Sequence, residues 1–149
     1  MALLHSMVKI CRPLFYRGFS STTSLNQLYY TQDHETIQCE DNTNIVKIGI
    51  SDYAKESLGD IVFFESEVEV DEEIEVDDTL LLIESVKASS EIKSPFSCRV
   101  VEINGSLEID NLNTIKEEDL WFIRCEIDDM SILDTLMCIK EYSEFIKKN

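Results

Sequence analysis

The chain has 149 residues, 44% of them hydrophobic, which fits one globular domain with an appendage and excludes wholesale disorder. Its formal net charge of −17 is unevenly divided, since residues 1–32 contain no Asp or Glu and contribute +3. The rest therefore carries −20, which argues against binding nucleic acid or anionic membrane surfaces. The sequence also lacks the roughly 18 consecutive apolar residues that a membrane-spanning helix needs.

Residues 1–27 have the composition of a mitochondrial transit peptide. They are free of acid, rich in Ser and Thr, and contain Lys9, Arg12 and Arg17. Lys9 and Arg12 interrupt the apolar stretch of about 7–15 residues that a secretory signal requires. The RGFS sequence at residues 17–20 resembles a mitochondrial processing site. We therefore predict a targeting segment cleaved near residue 19 and a mitochondrial matrix location, with a disordered tail as the alternative.

The folded body is predicted to begin at residue 28 with short β-strands. The β-prone segments 28–30, 36–39 and 45–48 are separated by polar turn residues. Ser51 is a good N-cap for a short helix, and Gly59 suits the left-handed position that ends one. A further strand is predicted at residues 61–64.

Alternating acidic and apolar residues occupy the next segment. Over residues 65–79, Glu67, Glu69 and Asp71 alternate with Val68 and Val70, which predicts a half-buried strand pair with a charged, solvated outer face. The segment lacks the ligand order of a calcium loop.

The most distinctive feature is a lysine between two strand-like segments. The apolar run of residues 80–83 leads into ESVKA at residues 84–88, which places Lys87 at the tip of a predicted hairpin. Strands are predicted at residues 100–103 and 120–125. A C-terminal helix is predicted, with Ile139, Tyr142 and Ile146 on one face. Without a βαβ rhythm, the elements favour a mainly β fold, a sandwich or small barrel with peripheral helices.

The sequence contains no recognisable catalytic or metal-binding constellation. His34 is the one histidine outside the leader, and the four glycines form no phosphate-binding loop. The five cysteines form no CxxC pair and have no neighbouring His at metal-ligand spacing, so we interpret them as reduced thiols. We therefore predict no catalytic residues, no metal and no enzymatic activity. An accessible lysine remains, either a plain surface residue, as we expect for Lys93, or the attachment point of a group carrier.

Four segments together resemble the H-protein family of the glycine cleavage system. They are YTQDHE at residues 30–35, GISDYA at 49–54, LGDIV at 58–62, and ESVKA at 84–88 followed by Ser94-Pro95. The similarity covers residues 29–147. It implies a barrel-sandwich hybrid fold over residues 28–149, the lipoyl/biotinyl-carrier type, with lipoate as the cofactor in amide linkage to Lys87.

The resemblance also implies a set of partners. The family's lipoyl arm receives an aminomethyl group from glycine decarboxylase, visits the aminomethyltransferase and is reoxidised by the dihydrolipoyl dehydrogenase, after a lipoyl-transferring enzyme has loaded the lysine. The chain departs from the family pattern at Thr36, at Cys98, at residues 117–121 and in the acidic residues 65–79. We expect these changes to alter the surface that docks partners and to leave the lysine hairpin unchanged.

Several other functions remain open from the sequence. An H-like scaffold that relays lipoate to other enzymes is the main alternative. A biotin carrier usually has methionines beside its lysine, where this chain has Val86 and Ala88, and a 2-oxoacid dehydrogenase lipoyl domain usually has Asp before it. An unmodified interaction domain is the last alternative.

Overall fold

The structure, a computed structural model, describes residues 27–149. All but the last position of the predicted targeting segment, and its processing site, lie outside the described residues. The described part of the chain contains nine β-strands: β1 Leu28–Tyr30, β2 Glu35–Cys39, β3 Ile45–Ile50, β4 Ile61–Ser66, β5 Glu73–Ile74, β6 Thr79–Ser85, β7 Ser89–Lys93, β8 Cys98–Ile103 and β9 Ile123–Glu126. The helices in the same part are α1 Asp52–Leu58, α2 Ile109–Leu112, a 3₁₀ helix Met130–Thr135 and α3 Ile139–Lys147.

The strands form two antiparallel sheets. The larger has the order β1-β2-β3-β9-β8-β5, and the smaller has the order β4-β6-β7. Buried aliphatic side chains from both sheets form one core, to which the Phe64 and Phe122 rings contribute with centroids 5.9 Å apart. The predicted mainly β, barrel-sandwich architecture is confirmed.

Helix α1 begins and ends where the sequence predicts. The Ser51 hydroxyl accepts a hydrogen bond from the Ala54 N–H at 3.1 Å, which satisfies one of the donors left free in the first turn. Gly59 ends the helix with φ of 75°, and its N–H donates to the Lys55 carbonyl at 3.0 Å. The helix therefore delivers the chain to β4 directly under the Lys87 hairpin.

The acidic segment after β4 differs from its prediction. Val68 and Ile74 are buried, but Val70 and Val76 are about half exposed, and β5 contains only two residues. Asp71 has a positive φ of 68°, which turns the chain and breaks the alternation that a strand pair requires. The acidic side chains are solvated, as expected.

Two further boundaries also differ. Strand β9 begins only at Ile123, three residues later than predicted. Leu120 and Phe122 are buried in the irregular segment before it, and the Phe122 N–H donates to the Ile48 carbonyl at 2.8 Å. The predicted apolar face of α3 is only partly covered: Tyr142 is buried and stacks on Tyr30, with ring centroids 4.2 Å apart, whereas Ile139 is exposed.

Candidate functional site

The β6–β7 hairpin presents Lys87 at its tip. Glu84 pairs with Ser89 as the last regular pair, and the residues between them form the turn. Lys87 is exposed, and no ion pair within residues 27–149 includes it. The structure therefore offers its ε-amine to an approaching enzyme.

Ser85 holds the turn in one conformation. Its hydroxyl oxygen accepts hydrogen bonds from the N–H groups of Lys87, at 3.2 Å, and Ala88, at 3.1 Å. The hydroxyl lies 3.0 Å from the Ala88 carbonyl, to which it donates, and the Ser85 N–H donates to the same carbonyl at 2.9 Å. One hydroxyl can donate once and accept twice, so all its capacity is used within the turn. The backbone beneath Lys87 is thereby fixed while its side chain stays free.

The connection between α1 and β4 supports the tip from one side. The Val86 N–H donates to the Asp60 carbonyl at 3.0 Å, which ties the turn to the residue after Gly59. A side chain at Gly59 would place its Cβ 3.3 Å from Cε of Lys87, so the lysine stem runs across this glycine. The sequence predicted Gly59 as a helix end but gave no sign that it also accommodates the lysine.

A groove of about 320 Å³ opens beside Gly59. Its lining residues come from α1, from the connection between α1 and β4, and from the residue after α2: Asp52, Lys55, Glu56, Gly59, Asp60 and Asn113. The Lys55 Nζ lies 3.1 Å from Asp52 Oδ1 and donates to the Ile115 carbonyl, so its positive charge is paired within the groove wall. The groove is therefore acidic.

The other residues considered from sequence do not join this site. Lys93 lies within β7, not at a tip, so its backbone is part of the sheet. The His34 ring is 2.8 Å from the Tyr142 hydroxyl, and burial lowers the pKa of this histidine. Its contacts hold α3 to the β-body. Cys39, Cys98 and Cys125 are free thiols.

Glu35 is a buried acid that the sequence reading did not single out. Only 4% of it is exposed, it accepts from the Thr31 hydroxyl, and burial raises its pKa. In the sequence, only its position next to His34, the sole histidine of the described chain, could have drawn attention to this glutamate.

The fold and the exposed tip lysine define a class: a mainly β carrier domain of the barrel-sandwich type. The sequence model of the glycine cleavage H-protein family matches residues 28–149, and the chain belongs to that family. Membership supports a lipoate-carrying role in glycine cleavage, and thus partners within that system.

Individual relatives agree with this assignment. The chain is 44% identical over 124 residues to a glycine cleavage system H protein of Staphylococcus saprophyticus, covering 81% of this chain and 95% of that protein. It is 42% identical over 127 residues to the one from Coprothermobacter proteolyticus, covering 82% and 96%. The crystal structure of a glycine cleavage system H protein from Mycobacterium marinum matches with a TM-score of 0.61 at 27% identity, covering 83% of this chain and 97% of that chain.

These three similar proteins are bacterial, so the comparison with them does not test the predicted mitochondrial targeting segment. Among residues 27–149, no helix is long and apolar enough to cross a membrane.

Proposed function

We propose that this chain carries lipoate on Lys87 as the H-protein component of a glycine cleavage system. The observation that carries the proposal is the exposed Lys87, on a hydrogen-bonded tip and without an ion partner in the described chain. These features fit amide formation, because the reaction consumes the amine and requires an enzyme to reach it from outside. Membership in the family supports the same cofactor.

The protein shuttles the aminomethyl group of glycine from glycine decarboxylase to the aminomethyltransferase, and then presents its arm to the dihydrolipoyl dehydrogenase. The lipoyl group, when bound, supplies the reversible disulfide chemistry and the length of the tether. The polypeptide is non-catalytic in this proposal. Its contribution is to hold the Lys87 backbone still, through Ser85 and Asp60, while it leaves the side chain free.

The test compares Lys87→Arg with Lys93→Arg, a second exposed lysine six residues away. Arg keeps the charge but cannot form the lipoyl amide. We expect Lys87→Arg to lose the lipoyl mass and all transfer of label from radioactive glycine, with an unchanged melting temperature, and Lys93→Arg to behave as the unaltered protein. Label transfer to the Lys87→Arg protein would contradict the proposal.

The same assay separates the shuttle from the relay of lipoate to other enzymes. A protein that is lipoylated on Lys87 but accepts no label from glycine and its decarboxylase would act as the relay. We expect label to be accepted.

We also propose that residues 1–27 direct the protein to the mitochondrial matrix and are removed near residue 19. The acid-free, basic composition of this segment beside a body of charge −20 supports the proposal. N-terminal sequencing of protein isolated from mitochondria should begin close to Ser20. Protein from the organelle that still begins at Met1 would contradict processing.

A further inference from the structure

Two consecutive apolar side chains are exposed on β4, beside the Lys87 hairpin. Ile61 is buried and Phe64 packs on Phe122, but Val62 and Phe63 are 48% and 43% exposed. Regular alternation would turn one of that pair inward. The pairing of β4 with β6 shifts between Ile61 and Phe63, and this bulge leaves both side chains outside.

Two further exposed apolar residues lie near this pair, one in the hairpin tip and one in α2. Ile61 pairs with Ser85 and Phe63 pairs with Glu84, so the bulge lies two to three residues from Lys87 along β6. Val86, within the tip, is 66% exposed. Ile109 of α2 is 39% exposed, and the Asn113 side chain at the end of α2 accepts from the Ile61 N–H at 3.2 Å. We call Val62, Phe63, Val86 and Ile109 the tip patch.

Acidic side chains surround the tip patch. Glu84 pairs with Phe63, Asp110 follows Ile109 in sequence, and the Asp60 carbonyl accepts from the Val86 N–H at 3.0 Å. All three acidic residues are exposed. The described chain carries −20, because residues 1–26 contribute three positive charges and no negative ones to the total of −17. A partner that fits this surface has an apolar pocket with a basic rim.

We infer that the tip patch is the docking surface for the enzyme that acylates Lys87, an inference that rests on the proposed function. The short distance between the Lys87 backbone and its unmodified ε-amine distinguishes this partner from the other enzymes that handle lipoate. An unmodified lysine extends only about 6 Å from its Cα, so the modifying enzyme must cover the tip itself. Enzymes that act later meet a group on a long tether and can bind farther from the tip.

The reaction at this surface is an acyl transfer. The neutral ε-amine of Lys87 attacks the carbonyl carbon of an acyl adenylate, the C–N bond forms, the C–O bond to AMP breaks, and one proton leaves the nitrogen. Because the attacking nitrogen must meet the carbonyl in a defined orientation, docking beside the tip raises the rate of this step.

The experiment measures amide formation on the unmodified full chain with a lipoate ligase, ATP and lipoate, followed by intact mass. We expect Phe63→Ser and Val62→Ser to lower kcat/KM for acylation about tenfold, mainly through KM, while Phe63→Leu retains most of the rate. The matched control is Val76→Ser, an equally exposed valine beyond the far end of β6, about 20 Å along the strand. Its acylation should match that of the unaltered protein.

Each outcome has one meaning. Equal rates for Phe63→Ser and the unaltered chain would overturn the docking assignment and leave Lys87 carriage intact. Normal acylation of Phe63→Ser followed by slow loading from glycine would overturn the chosen partner. Unaltered protein that gains no lipoyl mass would contradict the proposed function itself. Melting temperatures within a few degrees of each other exclude misfolding as the cause of a lowered rate.

Discussion

At the scale of single residues, accessibility of Lys87 depends on a hydrogen-bonded turn below an exposed side chain. Ser85 accepts those hydrogen bonds with its hydroxyl oxygen, and Gly59 leaves room for the lysine stem. The lysine itself makes none of the contacts that fix the tip, apart from its backbone N–H. Its side chain can therefore be acylated or replaced without loosening the hairpin.

Ser85→Ala should loosen the tip without unfolding the domain. Alanine leaves the Lys87 and Ala88 N–H groups without their acceptor, which we expect to cost about 1 kcal/mol in an exposed turn. Amide hydrogen exchange at these two positions should accelerate. Ser89→Ala is the control, since its side chain makes no hydrogen bond in the described chain; equal exchange in both variants would contradict the role of Ser85.

Glu35→Gln should change how stability depends on pH. Burial raises the pKa of Glu35 above the unfolded value, so the folded protein holds this proton to higher pH than the unfolded chain. Its contribution to stability is therefore present below the ordinary glutamate pKa and is lost as pH rises through the raised pKa. Glutamine cannot ionise, so the variant does not lose this contribution as pH rises. The free energy of unfolding of Glu35→Gln, measured with urea, minus that of the unaltered protein should therefore be larger at about pH 8 than at about pH 4. A difference independent of pH would show that Glu35 titrates normally.

At the scale of elements, local signals were sufficient where the stabilising contacts are local. Helix α1 was predicted correctly from Ser51 and Gly59, because its capping bonds lie within the same eight or nine residues. The alternation of residues 65–79 was misleading. An apolar residue every second position also fits a loop anchored at Val68 and Ile74, and the turn at Asp71 depends on its bond to the Val100 carbonyl.

Gly49→Ala should strongly destabilise the larger sheet. A Cβ at Gly49 would lie 2.2 Å from the Leu120 carbonyl oxygen and 2.9 Å from the Thr36 hydroxyl, so backbone must move. We expect a loss near the upper end of the roughly 1–3 kcal/mol that overpacking costs. Gly105→Ala is the control, because nothing lies within 4 Å of its added Cβ. Equal melting temperatures for the two variants would contradict the close approach.

At the scale of the whole molecule, the sequence predicted the fold class and the candidate lysine but not their three-dimensional support. Short strands and turn spacing indicated a mainly β body, and ESVKA between two strands placed Lys87 at a tip. The sheet order, with β9 between β3 and β8, depends on pairings far apart in sequence. The same is true of Gly59 beneath Lys87 and of Asn113 beside Ile61, which no local pattern encodes.

Tandem mass spectrometry of the native protein can show whether Lys87 carries lipoate. We expect a peptide containing residues 84–88 whose fragment ions place one lipoyl mass on Lys87, with Lys93 unmodified. Native protein in which Lys87 is unmodified, or in which the lipoyl mass is on another lysine, would show that Lys87 is not the carrier residue.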